Sequence, residues 1–183
     1  IAALPNTTFC GARVNSIATR LYPSAGVQSS PTPVLRRTRT RLRIVRGNLP
    51  VFQIARDRSG SLFVHSTDLR SLSIHGHIER GLHVKADRHR CISGAAVLLP
   101  RVGVPHIDSL KPVYFRSRAV LSDCVVALSF RNMHDARLAS SILMGSFGPL
   151  CSIYRGTGAR YVTVDRLVGF LGGYGLGLRE MKD

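Results

Sequence analysis

The sequence predicts an α+β fold: a short-stranded mixed or antiparallel sheet followed by C-terminal helices. Two observations carry that expectation. Between residues 50 and 130, short apolar runs rich in Val, Leu, Phe and Ile alternate with turn residues, the pattern of strands joined by tight connections. After residue 131 the apolar positions switch to helical spacing. Strands first and helices afterwards imply segregated layers rather than alternating βαβ units, and no repeat of fixed period runs through the chain.

Taken in order, residues 1–43 are expected to form a basic leader or linker and residues 44–183 the main domain. In the leader, "TTFCGARVNSIATRLY" suits a short helix, and "PSAGVQSSPTP" collects Pro, Ser and Gly as loops do. The run "VLRRTRTRLRIVRGNLP" is densest in arginine, with Arg36, Arg37, Arg39, Arg41, Arg43 and Arg46. A strand there sends Arg37, Arg39, Arg41 and Arg43 to one face, because successive side chains alternate. Such a stripe could track a phosphate backbone, or it could be a solvated edge that keeps a sheet from pairing with another chain.

Strands are then expected in "PVFQIA" (50–55), "SLFVHS" (61–66), "GAAVLLPRVG" (94–103), "KPVYFR" (111–116) and "CVVALSF" (124–130), with connections at Ser59-Gly60 and at Gly103 with Pro105. In "NMHDARLASSILMGS", Met133, Ala136, Leu138, Ile142 and Leu143 fall at roughly helical spacing, with Asn132 as N-cap. A second helix is expected to start at Thr163 or Asp165 and to carry Leu167, Phe170 and Leu171 inward until "GGYGLGL" ends it.

Charge is the strongest global signal: 26 Lys plus Arg against 10 Asp plus Glu leave a formal balance of +16. Such an excess points to a polyanionic partner, nucleic acid before a membrane surface or an acidic protein. The only lysines are Lys85, Lys111 and Lys182. Arginine suits bidentate contact with phosphate or a guanine edge. A GC-rich genome would explain arginine over lysine, but it explains the scarcity of acids less well. No apolar run approaches the roughly 18 residues of a membrane span, so no membrane partner is expected. The start at Ile1 reads as a piece of something longer. Cys10, Cys91, Cys124 and Cys151 contain no CxxC pair, which argues against a structural zinc knuckle and suits reduced thiols of a cytoplasmic protein. The apolar surroundings of Cys124 and Cys151 suggest core positions.

Tests for reaction chemistry give little. A magnesium nuclease needs clustered carboxylates, and here the acids are scattered without an Asp…Glu-x-Lys arrangement. No GxSxG, GxxxxGK[ST] or GxGxxG motif occurs. The segment "SIHGHIERGLHVKADRHRC" places His75 and His77 on one face if it is a strand, with His83, His89 and Cys91 beyond. Two same-face imidazoles could chelate a metal, but a second well-spaced pair is missing. No metal site and no catalytic residue is therefore expected.

The most pointed stretch is "IYRGTGARYVTVDRL". Gly156 and Gly158 permit close main-chain approach to a ligand, and successive N–H groups in such a turn can form an anion-binding concavity. Arg155 and Arg160 add two guanidinium forks. Its plainer reading is a Gly-rich turn with solvated arginines. Arg101 emerges where an apolar strand ends and is either a held contact residue or an internal partner of Asp108 or Asp123. Lys111, Arg116 and Arg118 follow as further basic candidates.

The runs "GAAVLLPRVGVP", "VLSDCVVALSF", "DARLASSILMGSFGPLCSIY" and "RGTGARYVTVDRLVGFL" together resemble the C-terminal target-recognition region of bacterial adenine-specific DNA methyltransferases of restriction-modification systems. "VRGNLPVFQIARDRSGSLFVHSTDL" is similar to the segment that opens that region in some members. The resemblance spans roughly residues 44 to 171. It implies sequence-specific binding of double-stranded DNA, with Arg155, Gly156, Thr157, Gly158, Arg160 and Tyr161 forming a loop near the DNA and Arg101 a second contact. It also implies a methyltransferase catalytic domain in the parent chain, residues 1–43 being the remnant of the junction to it. The Asn/Asp-Pro-Pro-aromatic motif and the glycine-rich methyl-donor site are not in this sequence. S-adenosylmethionine is accordingly expected only in a separate domain, and this piece is not expected to be an enzyme. The rival readings are a restriction endonuclease or metal-dependent hydrolase, and an RNA-binding or ribosome-associated protein. Few aromatics and no recognisable RNA-binding module weigh against the last.

Overall fold

The computed structural model describes residues 2–3, 17–18, 40–78, 81–85 and 91–178. The chain divides into two units, Ile1–Val34 and Leu35–Asp183. In the first, β1 (Ala2–Ala3) pairs antiparallel with β2 (Ile17–Ala18). Ile17 and Ala18 are thus extended where a short helix was expected. The rest of that stretch, and the loop expected in residues 23–33, lie outside the described residues.

The second unit is α+β. Its strands are β3 (Arg41–Arg46), β4 (Arg56–Val64), β5 (His83–Val84), β6 (Cys91–Pro100), β7 (Val113–Leu121), β8 (Val125–Phe130) and β9 (Gly177–Leu178). They form one sheet in the order β5-β4-β7-β6-β8-β3-β9. The sheet is mixed: β4 runs parallel to β7 and β3 parallel to β9, and the other neighbours are antiparallel. Because Arg41–Arg46 is a full member of the sheet, the unit begins ahead of the boundary expected at residues 43/44.

β6 is the central strand, and its composition explains why. From Ala95 to Pro100 every residue is buried, so the strand reads as an unbroken apolar run rather than an alternation. Such a run is stable only if both faces of the sheet are covered. On one face Ala95, Val97 and Leu99 join Val126, Leu128, Phe130 and Leu42 beneath the C-terminal helices. On the other, Ile92, Ala96 and Leu98 join Val64, Leu121 and Ala127 beneath Leu69 and Leu72. Each fully buried Leu or Ile in these layers contributes about 1.5–3 kcal/mol of transfer free energy.

The helices are α1 (Leu69–His75), α2 (Met133–Gly145), α3 (Phe147–Ser152) and α4 (Val164–Gly173). Asn132 accepts a 2.8 Å bond from the Asp135 N–H as the expected N-cap, and Thr163 accepts from the Arg166 N–H, which makes Thr163 the cap of α4 and Val164 its first residue. α2 buries Ala136, Ala139, Ser140 and Leu143, and α4 buries Leu167 and Leu171, with Phe170 partly buried.

Three expectations are corrected. Residues 50–55 are not a strand: Val51–Gln53 form one 3₁₀ turn with Val51 and Phe52 exposed, and β4 begins only at Arg56. Pro50, lacking an N–H, is poorly suited to enter a ladder there. His75 and His77 do not share a strand face. His75 ends α1, Gly76 caps that helix with φ 74°, and the His77 ring stands 6.3 Å from that of His75. Cys124 and Cys151 are half-buried rather than core. The turn expected at Ser59-Gly60 exists as an irregularity inside β4, where Arg56 and Ser61 both lie opposite Val84. There the Asp57 carboxylate accepts the Ser59 hydroxyl and N–H, and these bonds, aided by Lys85, lower its pKa.

Candidate nucleic-acid interface

One end of the sheet gathers four loops into a continuous rim. β6 leaves the sheet at Pro100, β8 enters it at Val125, β3 leaves at Arg46, and the Arg155–Tyr161 loop arrives from α3. Backbone hydrogen bonds stitch them. Arg101 donates to the Cys124 carbonyl (2.7 Å), Gly103 to Arg160 (2.7 Å) and Val162 to Arg101 (2.9 Å). Gly47 donates to Val125 (3.0 Å) and Asp123 to Leu49 (3.2 Å). Gly47 is required by contact: a Cβ there would overlap the carbonyl oxygen of Ser122.

The Arg155–Tyr161 loop is closed on itself. Arg155 and Tyr161 exchange two backbone bonds of 3.0 and 3.1 Å, so five residues are held between a paired base. Gly156 has φ 158°, and a Cβ on it would lie 2.8 Å from the Ala159 oxygen and 3.2 Å from the Tyr161 ring. Gly158 differs from expectation: its φ is not positive, and a Cβ there would meet nothing within 4 Å. Only the first glycine is demanded by the geometry. Arg155, Thr157, Arg160 and Tyr161 are all exposed. Beneath them Tyr154 is buried and its hydroxyl donates to the Pro100 carbonyl at 2.8 Å, locking the loop base to the end of β6. Burial, with the Cys151 thiol nearby, pushes the Tyr154 phenol well above its ordinary value of 10.0.

Arg101 therefore lies directly beside the Gly-rich loop, two segments that are far apart in the chain. Its Nε donates to the main-chain carbonyl of Asp123 at 2.6 Å. The guanidinium is pinned by a backbone oxygen, not by the carboxylate of Asp108 or Asp123. Asp108 is engaged elsewhere, with Arg70 at 4.0 Å, Lys111 at 3.9 Å and His106 at 3.3 Å. Lys111 is thus partly neutralised and makes a weaker contact candidate than its charge suggested.

The remaining candidates do not join this rim. Arg41 and Arg43 are exposed and alternate with buried Leu42, as a strand requires. Register places Arg43 in one row with Ser129 and Ala96, on the face opposite the C-terminal helices. Arg37 and Arg39 lie outside the described residues. Arg116 and Arg118 sit in a bulge of β7, because Phe115 pairs with Gly94 and Ala119 with Ile92. From Gly94 to Arg101 the strand covers about 23 Å at ~3.3 Å per residue. These arginines and the rim cannot bind the same phosphate.

Arg166 and Phe52 were not singled out from sequence, and Arg46 was named only as part of the basic run. Arg46 is exposed at the end of β3 and shares a row with Val126 and Leu99. Arg166 places its guanidinium 5.6 Å from the Tyr161 ring centroid, a cation–π contact that holds the ring, and its Nη1 has no hydrogen-bond partner among the described residues. Phe52 stands fully out on its turn. Arg46 falls off the odd-numbered stripe of its run, Phe52 is a lone exposed aromatic, and Arg166 reads as a solvated helix residue until the loop folds over it.

No rim arginine is paired with a carboxylate within 4.0 Å among the described residues, although Asp123 stands on the same rim. Among the described residues, the only Arg or Lys side chains within 4.0 Å of a carboxylate are Arg70 and Lys111, both at Asp108. The half-buried thiols are weak nucleophiles. Burial raises the pKa of Cys151 against the opposing field of Arg160, and burial together with Asp123 raises that of Cys124. Among the described residues no three His, Cys, Asp or Glu side chains come together as metal ligands, and no helix is long and apolar enough to cross a membrane. Glu79, Asp87 and His89 lie outside the described residues. In comparisons with known proteins, no family model and no curated protein sequence matches this chain.

Proposed function

We propose that this chain binds double-stranded DNA sequence-specifically, as the target-recognition part of an adenine-specific DNA methyltransferase or restriction-modification enzyme. One observation carries the reading: Arg155, Arg160 and Tyr161 project from a closed loop that is hydrogen-bonded to the Arg101 segment at the end of a sheet whose central strand is buried on both faces. Loops held by a rigid scaffold are where binding residues concentrate. Arginines fixed before contact lose less entropy on binding than mobile ones. The +16 balance supplies attraction to the phosphates irrespective of sequence. Specificity would come from guanidinium forks on guanine edges, each good bidentate pair being worth about 1–3 kcal/mol of discrimination.

In this reading the chain's own residues bind and position, and the methyl transfer belongs to a separate catalytic domain that carries S-adenosylmethionine. This segment supplies no catalytic group of its own in that reading, and a cytoplasmic location follows from the partner. The test is competition between a mixed-sequence duplex and a structured RNA of equal length for the purified chain. Preference for the duplex, reduced at least tenfold in Arg155→Ala/Arg160→Ala, is the expected result. Preference for the RNA, or magnesium-dependent plasmid cleavage that is lost on His or Asp substitution, would replace this reading with one of its rivals.

A further inference from the structure

Phe52 is 86% exposed and Val51 beside it 50% exposed, on the 3₁₀ turn Val51–Gln53, which contains no buried residue. A single exposed apolar side chain needs no explanation. This pair differs in how firmly it is presented. The turn closes on itself through Gln53 donating to the Pro50 carbonyl at 3.0 Å. Its approach is fixed by Gly47 donating to Val125 and by the Asp123 N–H donating to Leu49. The same Asp123 accepts the Arg101 side chain on its carbonyl oxygen. One residue therefore ties the apolar turn and the pinned guanidinium into one rim, and exposed Arg46 precedes the turn.

We infer that Val51 and Phe52 form an apolar wedge of the nucleic-acid interface, with Phe52 entering between neighbouring bases of a duplex whose phosphates are held by Arg46, Arg101, Arg155 and Arg160. The inference rests on the DNA-binding reading above and extends it to the base stack. Charge selects the partner: an apolar tip tied through Asp123 to Arg101 and preceded by Arg46, neither with a carboxylate within 4.0 Å among the described residues, suits a polyanion that has apolar faces between its charges. Stacked bases supply such faces, and inserted Phe, Leu, Ile or Met side chains unstack a step and kink the helix. An anionic lipid surface also combines charge with apolar depth, but it rewards a broad apolar face, whereas two side chains suit one base step.

The experiment titrates the full chain, Phe52→Ala and Phe52→Trp against a short duplex bearing 2-aminopurine, with anionic phosphatidylserine vesicles as the second arm. Wild-type binding should raise 2-aminopurine fluorescence by unstacking. Phe52→Ala should lose that rise and weaken duplex binding about tenfold, the scale of one apolar side chain removed from burial. Its dependence of log Kd on log salt should keep the wild-type slope, because no phosphate contact is lost. Phe52→Trp should retain binding and unstacking. Duplex affinity and fluorescence unchanged in Phe52→Ala would overturn the wedge while leaving DNA binding intact. Loss of vesicle binding alone would assign the turn to a lipid surface. A wild-type chain that ignores the duplex would remove the wedge together with the reading beneath it.

Discussion

At the residue scale, Tyr154 and Gly156 shape the candidate site, the one by tying the loop base to β6 and the other by leaving room for the loop to close. Tyr154→Phe removes the bond to the Pro100 carbonyl and leaves a buried acceptor unpaired, so chemical denaturation should show a loss of about 1–3 kcal/mol. The pH dependence has a definite sign. Because the folded phenol has a raised pKa, the stability that its neutral form provides is present in full below the ordinary value of 10.0 and is lost as pH rises through the higher folded value. Wild-type stability should therefore fall above about pH 10 more steeply than that of Tyr154→Phe, as read from denaturation midpoints. The two loop glycines should separate cleanly. Gly156→Ala forces a Cβ against the Ala159 oxygen and the Tyr161 ring and should weaken duplex binding, whereas Gly158→Ala, in open space, should leave it within about twofold. Equal effects would mean that the loop adapts.

At the element scale, the decisive unit is β6 with its exit segment. Leu98 is fully buried in the layer beneath α1, so Leu98→Ala should cost about 2–5 kcal/mol in unfolding experiments. Gly47→Ala should also destabilise, by main-chain overlap rather than by a cavity, and should displace the Phe52 turn that Gly47 anchors. Much of this level was legible in the sequence. β6 and β8 are strong apolar runs between turns, β7 was legible only in its first half, and α2 announces itself by Asn132 and α4 by its period. What was not legible has physical causes. α1 and α3 have only 7 and 6 residues, too short for a period to emerge, and the His75/His77 spacing imitates a strand. "PVFQIA" has strand composition, but Pro50 and the Gly47–Val125 anchor turn it outward. The adjacency of Arg101 to Arg160 is a tertiary pairing between distant segments, and neither segment encodes it alone.

At the scale of the whole molecule, the rim holds only part of the described positive charge, since Arg41, Arg43, Arg116 and Arg118 lie outside it. Arg46, Arg101, Arg155 and Arg160 belong to elements that meet at one end of the sheet, while Arg116 and Arg118 lie toward the other end of β6. If the rim is the binding surface, Arg160→Ala should weaken duplex binding several-fold more than Arg116→Ala, although each removes one positive charge. Whether a pre-formed arginine rim contacts DNA phosphates is read from a salt titration of duplex affinity by fluorescence anisotropy. For roughly 6–10 phosphate contacts, affinity should fall about 10³–10⁵-fold between ~50 and ~200 mM salt. Arg155→Ala/Arg160→Ala should flatten the slope by about two contacts. Affinity that does not respond to salt, or a slope that the double substitution leaves unchanged, would contradict the account.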